Sequence, residues 1–224
     1  MTLEEKIRLS SWYLEQAVSM ADPQRIAVAW TGGKDSTVAL ALWKELLQGH
    51  GFTSVPARAV NLDTGLKFPE VLAFRDEIAD AWDIALSIVK PDVDVADYPV
   101  AADPVQCCND LKVTPLRRAV SDMDIAVLIT GVRADEHTDR AGRSWHESRD
   151  DPAHVQLNPL IHWTEMDIWS FTLERGLPYC PLYNHGYRSL GCRPCTAAAQ
   201  GDERSGRSRE KEDRLHLLRS LGYF

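Results

Sequence analysis

The stretch RIAVAWTGGKDSTVALALW (residues 25–43) constrains the fold more than any other part of the chain. A short apolar run reads as a buried strand, a helix-period apolar pattern begins at Ser36, and a glycine-bearing turn separates them. A strand that passes at once into a helix is the first half of a strand–helix–strand crossover, and it commits the chain to a parallel sheet. The turn carries its own chemistry. Glycines let the backbone approach an anion closely, and the amides at a helix N-terminus point toward it. Lys34 adds a mobile positive charge, and the hydroxyls of Thr31, Ser36 and Thr37 are donors for phosphate oxygens. The spacings G-x-x-x-x-G-K and G-x-G-x-x-G are both absent here.

Further strands and helices alternate after it. ARAVNLD reads as a second strand leading into LDTGLKFPE, and Pro69 suits the first turn of a helix running to about Trp82. IALSIV is a third strand, stopped by Pro91; a loop rich in Asp and Pro spans 92–106, and a helix follows from about Asn109 to Ser121. IAVLITGVR is a fourth strand. Residues 2–20 form an amphipathic helix, with Leu3, Ile7, Leu14 and Val18 on one face, for packing or for an oligomer contact. The expected fold is α/β: a parallel twisted sheet with helices on both faces, Rossmann-like. After residue 145 the pattern changes to a short strand, a proline turn and a helix capped by Thr164, with Asp167 three positions on. A loop-rich stretch then leads to a last helix near 209–221. We divide the chain into an N-terminal helix (1–22), a nucleotide-binding core (23–145) and a C-terminal subregion (146–224) lying over the sheet's carboxyl edge, where such folds bind ligands.

With 224 residues and 44% hydrophobic composition, the chain suits a single domain. No apolar run reaches membrane-spanning length and the N-terminus is charged, so the expected address is the cytoplasm, with no membrane partner. A net charge of −8 gives no overall attraction to a phosphate backbone, so nucleic acid would be met only through a local basic face or a partner. Basic residues gather at Arg133, Arg140, Arg143 and Arg149, and again at Arg204, Arg207, Arg209, Lys211 and Arg214. For the second group, solvated loop charge and a working surface are equally open.

Five cysteines, an odd number, argue for metal or redox use over a disulfide framework. Cys107 and Cys108 are adjacent, and Cys192 and Cys195 form a Cys-x-x-Cys pair. From spacing alone a four-iron cluster, a zinc ion and two buried thiol pairs all remain open. Cys180 fits no ligand position, and the histidines form no ligand-spaced set.

TGGKDS resembles the Ser-Gly-Gly-x-Asp-Ser loop of the adenine-nucleotide α-hydrolases, the PP-loop ATP pyrophosphatases, with Thr31 in place of the usual serine. In that superfamily ATP is cut between its α and β phosphates and the loop holds the leaving pyrophosphate. NLDTGLKFPEVLAFRDEIA, ITGVRADEHTDRAG and NPLIHWTEMDIWSFTLERGLPYCPLY resemble segments of the phosphoadenosine phosphosulfate reductase and ATP sulfurylase small-subunit group, so the likeness runs from about Arg25 to the C-terminus. The resemblance implies nucleotide contacts from Thr31, Gly32, Gly33, Lys34, Asp35, Ser36 and Thr37, and from Asn61, Leu62 and Asp63 beside the adenosine. Gly131, Arg133, Arg140 and Arg143 would face phosphate or sulfate. Lys34, Asp35 and Ser36 are the expected catalytic residues, and Asp63 is a candidate ligand for the magnesium that accompanies ATP. CCNDLKVTPLRRAV together with SLGCRPCT resembles the cysteine set of iron–sulfur adenylylsulfate reductases, which implies a 4Fe-4S cluster on Cys107, Cys108, Cys192 and Cys195.

Those reductases attack sulfur with a cysteine in a Glu-Cys-Gly-Leu-His tail. Here no cysteine follows Cys195, the last residues resemble the Gly-Tyr-Phe ending of the ATP sulfurylase small subunit, and the Gly-Lys-Asp-Ser run, usually degraded in reductases, is intact. The expectation drawn from these features is an iron–sulfur ATP pyrophosphatase that adenylylates an acceptor for sulfur insertion. The feature set resembles the enzymes of DNA phosphorothioation, with a cysteine desulfurase or other sulfur-transfer protein as partner and DNA reached only through a complex. The alternatives are a sulfonucleotide reductase, a sulfate adenylyltransferase small subunit and a non-catalytic nucleotide sensor.

Overall fold

A computed structural model describes residues 1–222 of the chain. The expected Gly-Tyr-Phe ending therefore lies partly outside the described residues. Strands β1 (Ile26–Ala29), β2 (Arg58–Leu62), β3 (Ala85–Val89), β4 (Val127–Ile129), β5 (His146–Asp150) and β6 (Ala153–Leu157) form one sheet in the order β3-β2-β1-β4-β6-β5. All neighbours are parallel except β5, which runs antiparallel to β6 at the edge. The strand order reverses direction between β1 and β4, and the carboxyl ends of those two strands flank the crevice that such a switch creates.

The sheet is packed from both sides. Helix α2 (Lys34–Gly49) follows β1 and buries Val38, Leu40, Leu42, Trp43, Leu46 and Leu47. Trp30, Trp43 and Trp163 are wholly buried in the same cluster as Ile26, Val28, Ile129 and Leu157. On the opposite face Ala27, Ala29, Val60 and Leu128 meet Leu116, Ala119 and Val120 of α5 (Thr114–Asp122). Helix α3 (Pro69–Ala81) begins at Pro69, as the sequence predicts, because proline has no amide to leave unpaired there and its φ is preset for a helix.

Helix α1 (Leu3–Met20) packs on its own domain. Leu14 and Ala17 are buried, the Ser10 hydroxyl donates to the Pro159 carbonyl at 2.7 Å, and Lys6 pairs with Asp167 at 2.5 Å. Asp167 also closes the capping box of α6 (Glu165–Glu174): Thr164 Oγ1 accepts from the Asp167 amide and the Asp167 carboxylate accepts from the Thr164 amide. The segment after residue 145 supplies β5 and β6, and β6 pairs directly with β4.

The helix expected from Asn109 begins earlier and is interrupted. A short α4 (Pro104–Cys108) leads through a π-type turn at Asn109–Val113 into α5. Pro115 explains the widened turn: it has no amide to donate, and its ring would crowd the Leu111 carbonyl in an unbroken α-helix. The C-terminal segment carries short helices α7 (Arg209–Glu212) and α8 (Leu215–Ser220) where a single helix is expected. No helix among the described residues is long and apolar enough to cross a membrane.

Candidate active site

A cavity opens at the carboxyl ends of β1 and β4. Its walls include Thr31, Gly33, Asp35 and Ser36 of the first loop, and Gly131 and Arg140 of the β4–β5 connection. Tyr183, Ser189, Arg204 and Arg207 close it from the C-terminal side. Two glycines allow the loop to take its shape. Gly32 has φ +80°, a region that favours glycine. A Cβ on Gly131 would stand 2.7 Å from the Asp35 carbonyl carbon and the Ser36 nitrogen, so the end of β4 rests on the first turn of α2.

The loop's own hydroxyls are engaged within it. Ser36 Oγ accepts from the Thr31 amide, lies 3.0 Å from Thr31 Oγ1 and donates to the Gly33 carbonyl. Thr37 Oγ1 donates to the Gly33 carbonyl and accepts from Trp30 Nε1, so Thr37 fastens the loop to the core. The Lys34 amide, at the helix N-terminus, donates to the Tyr183 hydroxyl at 2.8 Å.

Lys34 and Arg133 sit behind the cavity wall in a dense ionic knot. Lys34 Nζ lies 2.5 Å from Glu203, 3.3 Å from Asp35 and 2.9 Å from the Arg188 carbonyl. Arg133, wholly buried, donates to Asp35 at 2.6 Å, Asp135 at 2.5 Å and Glu203 at 2.6 Å. Burial by itself lowers the affinity of these two groups for their protons, but the Asp35 and Glu203 carboxylates more than offset it and hold both pKa values above their ordinary range.

A second ionic group faces the cavity directly. Glu136 pairs with Arg140 and, at 2.6 Å, with Arg204, which also pairs with Glu212 at 2.5 Å. Burial pushes the Glu136 carboxyl up, yet the Arg140 and Arg204 guanidiniums override it and bring it down to about 2. Arg207 is 8% exposed, donates through Nη1 to Thr196 Oγ1, and keeps a buried Nε with no hydrogen-bond partner. Its guanidinium lies against Gly191, where a Cβ would come within 2.2 Å of it. Arg143 is turned elsewhere, paired with Glu147 at 2.7 Å.

On the other flank Asn61 donates to the Trp30 carbonyl and accepts from Arg75. Leu62 ends β2, and Asp63 accepts from the Gly65 amide with Arg75 at 3.7 Å. Asp63 thus already has a cationic partner from α3.

The four cysteines of the two pairs approach one another. Cys107 feels the charges of Cys108, Cys192 and Cys195, and burial raises its pKa. Cys192, buried, lies 3.3 Å from Thr64 Oγ1. Burial raises the Cys192 pKa, but the Lys112 and Lys67 ammoniums and the Thr64 contact prevail and leave it at about 6. The Arg193 amide donates to the Leu66 carbonyl, which ties the Cys-x-x-Cys turn to the β2–α3 loop. Among the described residues no three His, Cys, Asp or Glu side chains close on a point that would suit one metal ion. Four thiols drawn from two loops, with lysines gathered round them, fit an anionic multi-iron cluster, in which each iron takes one thiolate. Cys180 is buried in the main core.

Arg204 and Arg207 belong to the basic group that the sequence leaves open between loop charge and a working surface, and no sequence motif marks Tyr183, Glu136 or Glu203. The only local sign was the compact DERSGR turn, which sets two arginines three apart on a glycine.

Residues 25–198 match the family model of the phosphoadenosine phosphosulfate reductase domain. The chain is 36% identical over 161 residues to adenosine 5'-phosphosulfate reductase 1 of Bacillus subtilis (strain 168), covering 67% of this chain and 68% of that protein. It is 36% identical over 169 residues to phosphoadenosine 5'-phosphosulfate reductase of Gloeobacter violaceus, covering 69% and 68%. Among solved structures, phosphoadenylyl-sulfate reductase from Candida auris superposes with a TM-score of 0.67 at 21% identity, covering 84% of this chain and 90% of that one, a likeness of fold. These relatives overturn the expectation of an ATP pyrophosphatase of DNA phosphorothioation. They favour the alternative, sulfonucleotide reduction. The intact Gly-Lys-Asp-Ser run pointed the other way because a motif does not disclose what lies against it; here the Lys34 ammonium is held by Glu203.

Proposed function

The chain belongs to the phosphoadenosine phosphosulfate reductase family, and from that premise we propose that it reduces an adenylyl sulfate nucleotide to sulfite and the matching adenosine 5'-phosphate (AMP, or the 3',5'-bisphosphate where the nucleotide carries a 3'-phosphate), in the cytoplasm. The observation that carries this reading is Arg207. A nearly buried guanidinium that lines the cavity wall and keeps an unpartnered Nε suits an anionic sulfate or phosphate group. Arg204 and Arg140 extend the same wall. The adenosine would lie toward the ends of β1 and β4.

The chemistry is a two-electron reduction. A thiolate attacks sulfur and the bond from sulfur to the bridging oxygen breaks, releasing the adenosine 5'-phosphate and leaving an S-sulfonated thiol. A second thiolate then displaces sulfite and forms a disulfide. The thiols come from a dithiol reductant, and the chain's arginines bind the departing phosphate and orient the sulfate for attack. Cys107, Cys108, Cys192 and Cys195 would hold the 4Fe-4S cluster, which when bound would supply a fixed local charge and join the two cysteine loops.

The test is anaerobic incubation of the purified protein with adenylylsulfate or 3'-phosphoadenylylsulfate and a dithiol, with sulfite measured. Sulfite from either nucleotide supports the proposal. Release of AMP and pyrophosphate from ATP, with no sulfite from either sulfonucleotide, would refute it.

A further inference from the structure

The Thr31–Thr37 loop has the makings of a diphosphate seat: a glycine turn, a helix N-terminus and a lysine. In the folded chain that seat has occupants. The Glu203 carboxylate places both oxygens 2.6 Å from Arg133 Nη2 and one of them 2.5 Å from Lys34 Nζ. The Tyr183 hydroxyl takes the Lys34 amide, and its ring lies beneath the Lys34 ammonium, 5.6 Å from Nζ to the ring centre.

We propose that Glu203 and Tyr183 act as an internal stand-in for a β,γ-diphosphate and make the site select adenylyl nucleotides ending in sulfate over ATP. The inference rests on the sulfonucleotide reading of the same cavity and adds to it the residues that set its specificity.

Charge bears this out. Two cations, Lys34 and Arg133, already contact Asp35, Glu203 and Asp135, with Glu165 4.0 Å from Lys34 Nζ. The side chains of Lys34 and Arg133 are 1% and 0% exposed, so water does little to screen an added anion. A polyphosphate entering the loop would meet carboxylate in the place of uncompensated positive charge, and would have to expel Glu203 together with the segment that bears it. That segment is anchored: Arg204, next in sequence, is bound to Glu136 and Glu212, and the Ala197 amide donates to the Gly206 carbonyl at 2.7 Å. The neighbouring wall is different. Arg140, Arg204 and Arg207 stand there with Glu136 and Glu212, an excess of positive charge suited to a phosphate–sulfate group that stops short of the loop.

The experiment compares dissociation constants for magnesium–ATP and for adenylylsulfate by calorimetry, on the wild type, Glu203→Gln and Tyr183→Phe, with melting temperatures recorded. Wild type is expected to bind adenylylsulfate more tightly. In Glu203→Gln the ratio of the ATP constant to the adenylylsulfate constant should fall by at least about tenfold, since removing a like charge from a desolvated contact is a large effect. Tyr183→Phe, which frees the Lys34 amide and leaves the segment in place, should shift the ratio in the same direction by less. An unchanged ratio in both variants would overturn the inference, as would a wild type that binds ATP as tightly as adenylylsulfate. Failure of the underlying reading shows separately, as absence of sulfite from the wild type, while the ATP constants still report on Glu203.

Discussion

Neutralising Glu136 tests the ionic pair that joins the β4–β5 connection to the C-terminal segment. Glu136→Gln keeps the shape and removes the charge that faces Arg140 and Arg204. In the folded protein those guanidiniums bring the carboxyl from an ordinary value of 4.5 down to about 2. At 1.36 kcal/mol per pH unit, that difference corresponds to roughly 3 kcal/mol of folding stability. The side chains of Glu136, Arg140 and Arg204 are 10%, 13% and 11% exposed, so solvent screening takes little from this figure. The folded value lies below the unfolded one, so the stabilisation is present above about pH 4.5 and is lost as the pH falls toward 2. Urea unfolding, which leaves ion pairs unscreened, should show the variant weaker than wild type by roughly 3 kcal/mol at pH 6, with the gap narrowing by about 2 kcal/mol at pH 3. A gap that is the same at both pH values, or smaller than about 0.5 kcal/mol at pH 6, would refute the assignment of charge to this pair.

Other substitutions test other parts of the site. Gly131→Ala drives a Cβ to 2.7 Å from the backbone of α2 and should lower stability by about 1–3 kcal/mol in the same urea assay, with nucleotide affinity falling alongside. Arg207→Ala should weaken adenylylsulfate binding by about ten- to a hundredfold in calorimetry, the range for losing a charged hydrogen bond; a change below twofold would remove Arg207 from the site. Cys192→Ser should lower iron and acid-labile sulfide per chain in anaerobically purified protein, whereas Cys180→Ala should leave both unchanged; equal metal content in the two variants would contradict the four-cysteine assignment.

Much of the fold was legible because periodicity and punctuation agree. The Ile26–Ala29 run, the glycine turn and the apolar face of α2 fix the first crossover, Pro69 starts α3, and the Thr164–Asp167 box starts α6. Strand β5 escaped notice because its sequence, HESRD, has no apolar alternation; an edge strand has one neighbour and tolerates charge. The break between α4 and α5 was hidden because a proline marks a disturbance without saying whether the helix stops or widens. At the site, Thr31, Gly33, Asp35, Ser36, Gly131 and Arg140 line the cavity, and the motifs named them. Glu203 was invisible for another reason: it meets Lys34 across 169 positions of sequence, and no local pattern records such a meeting.

The bridge between Thr196 and Arg207 makes one small unit of a segment that leaves the ribosome late. The sheet is complete once Leu157 has been made, but Arg204 and Arg207 of the cavity wall come roughly 50 residues later, on the same small unit that carries the second cysteine pair. At translation speeds of about 5–20 residues per second, the growing chain spends about 3–10 seconds with its glycine turn made and Arg204 and Arg207 still to come. Arg204, Arg207 and the Cys192–Cys195 pair thus join the site at the same late moment of synthesis, and a chain interrupted before it would carry the glycine turn and Arg140 with half of the wall missing.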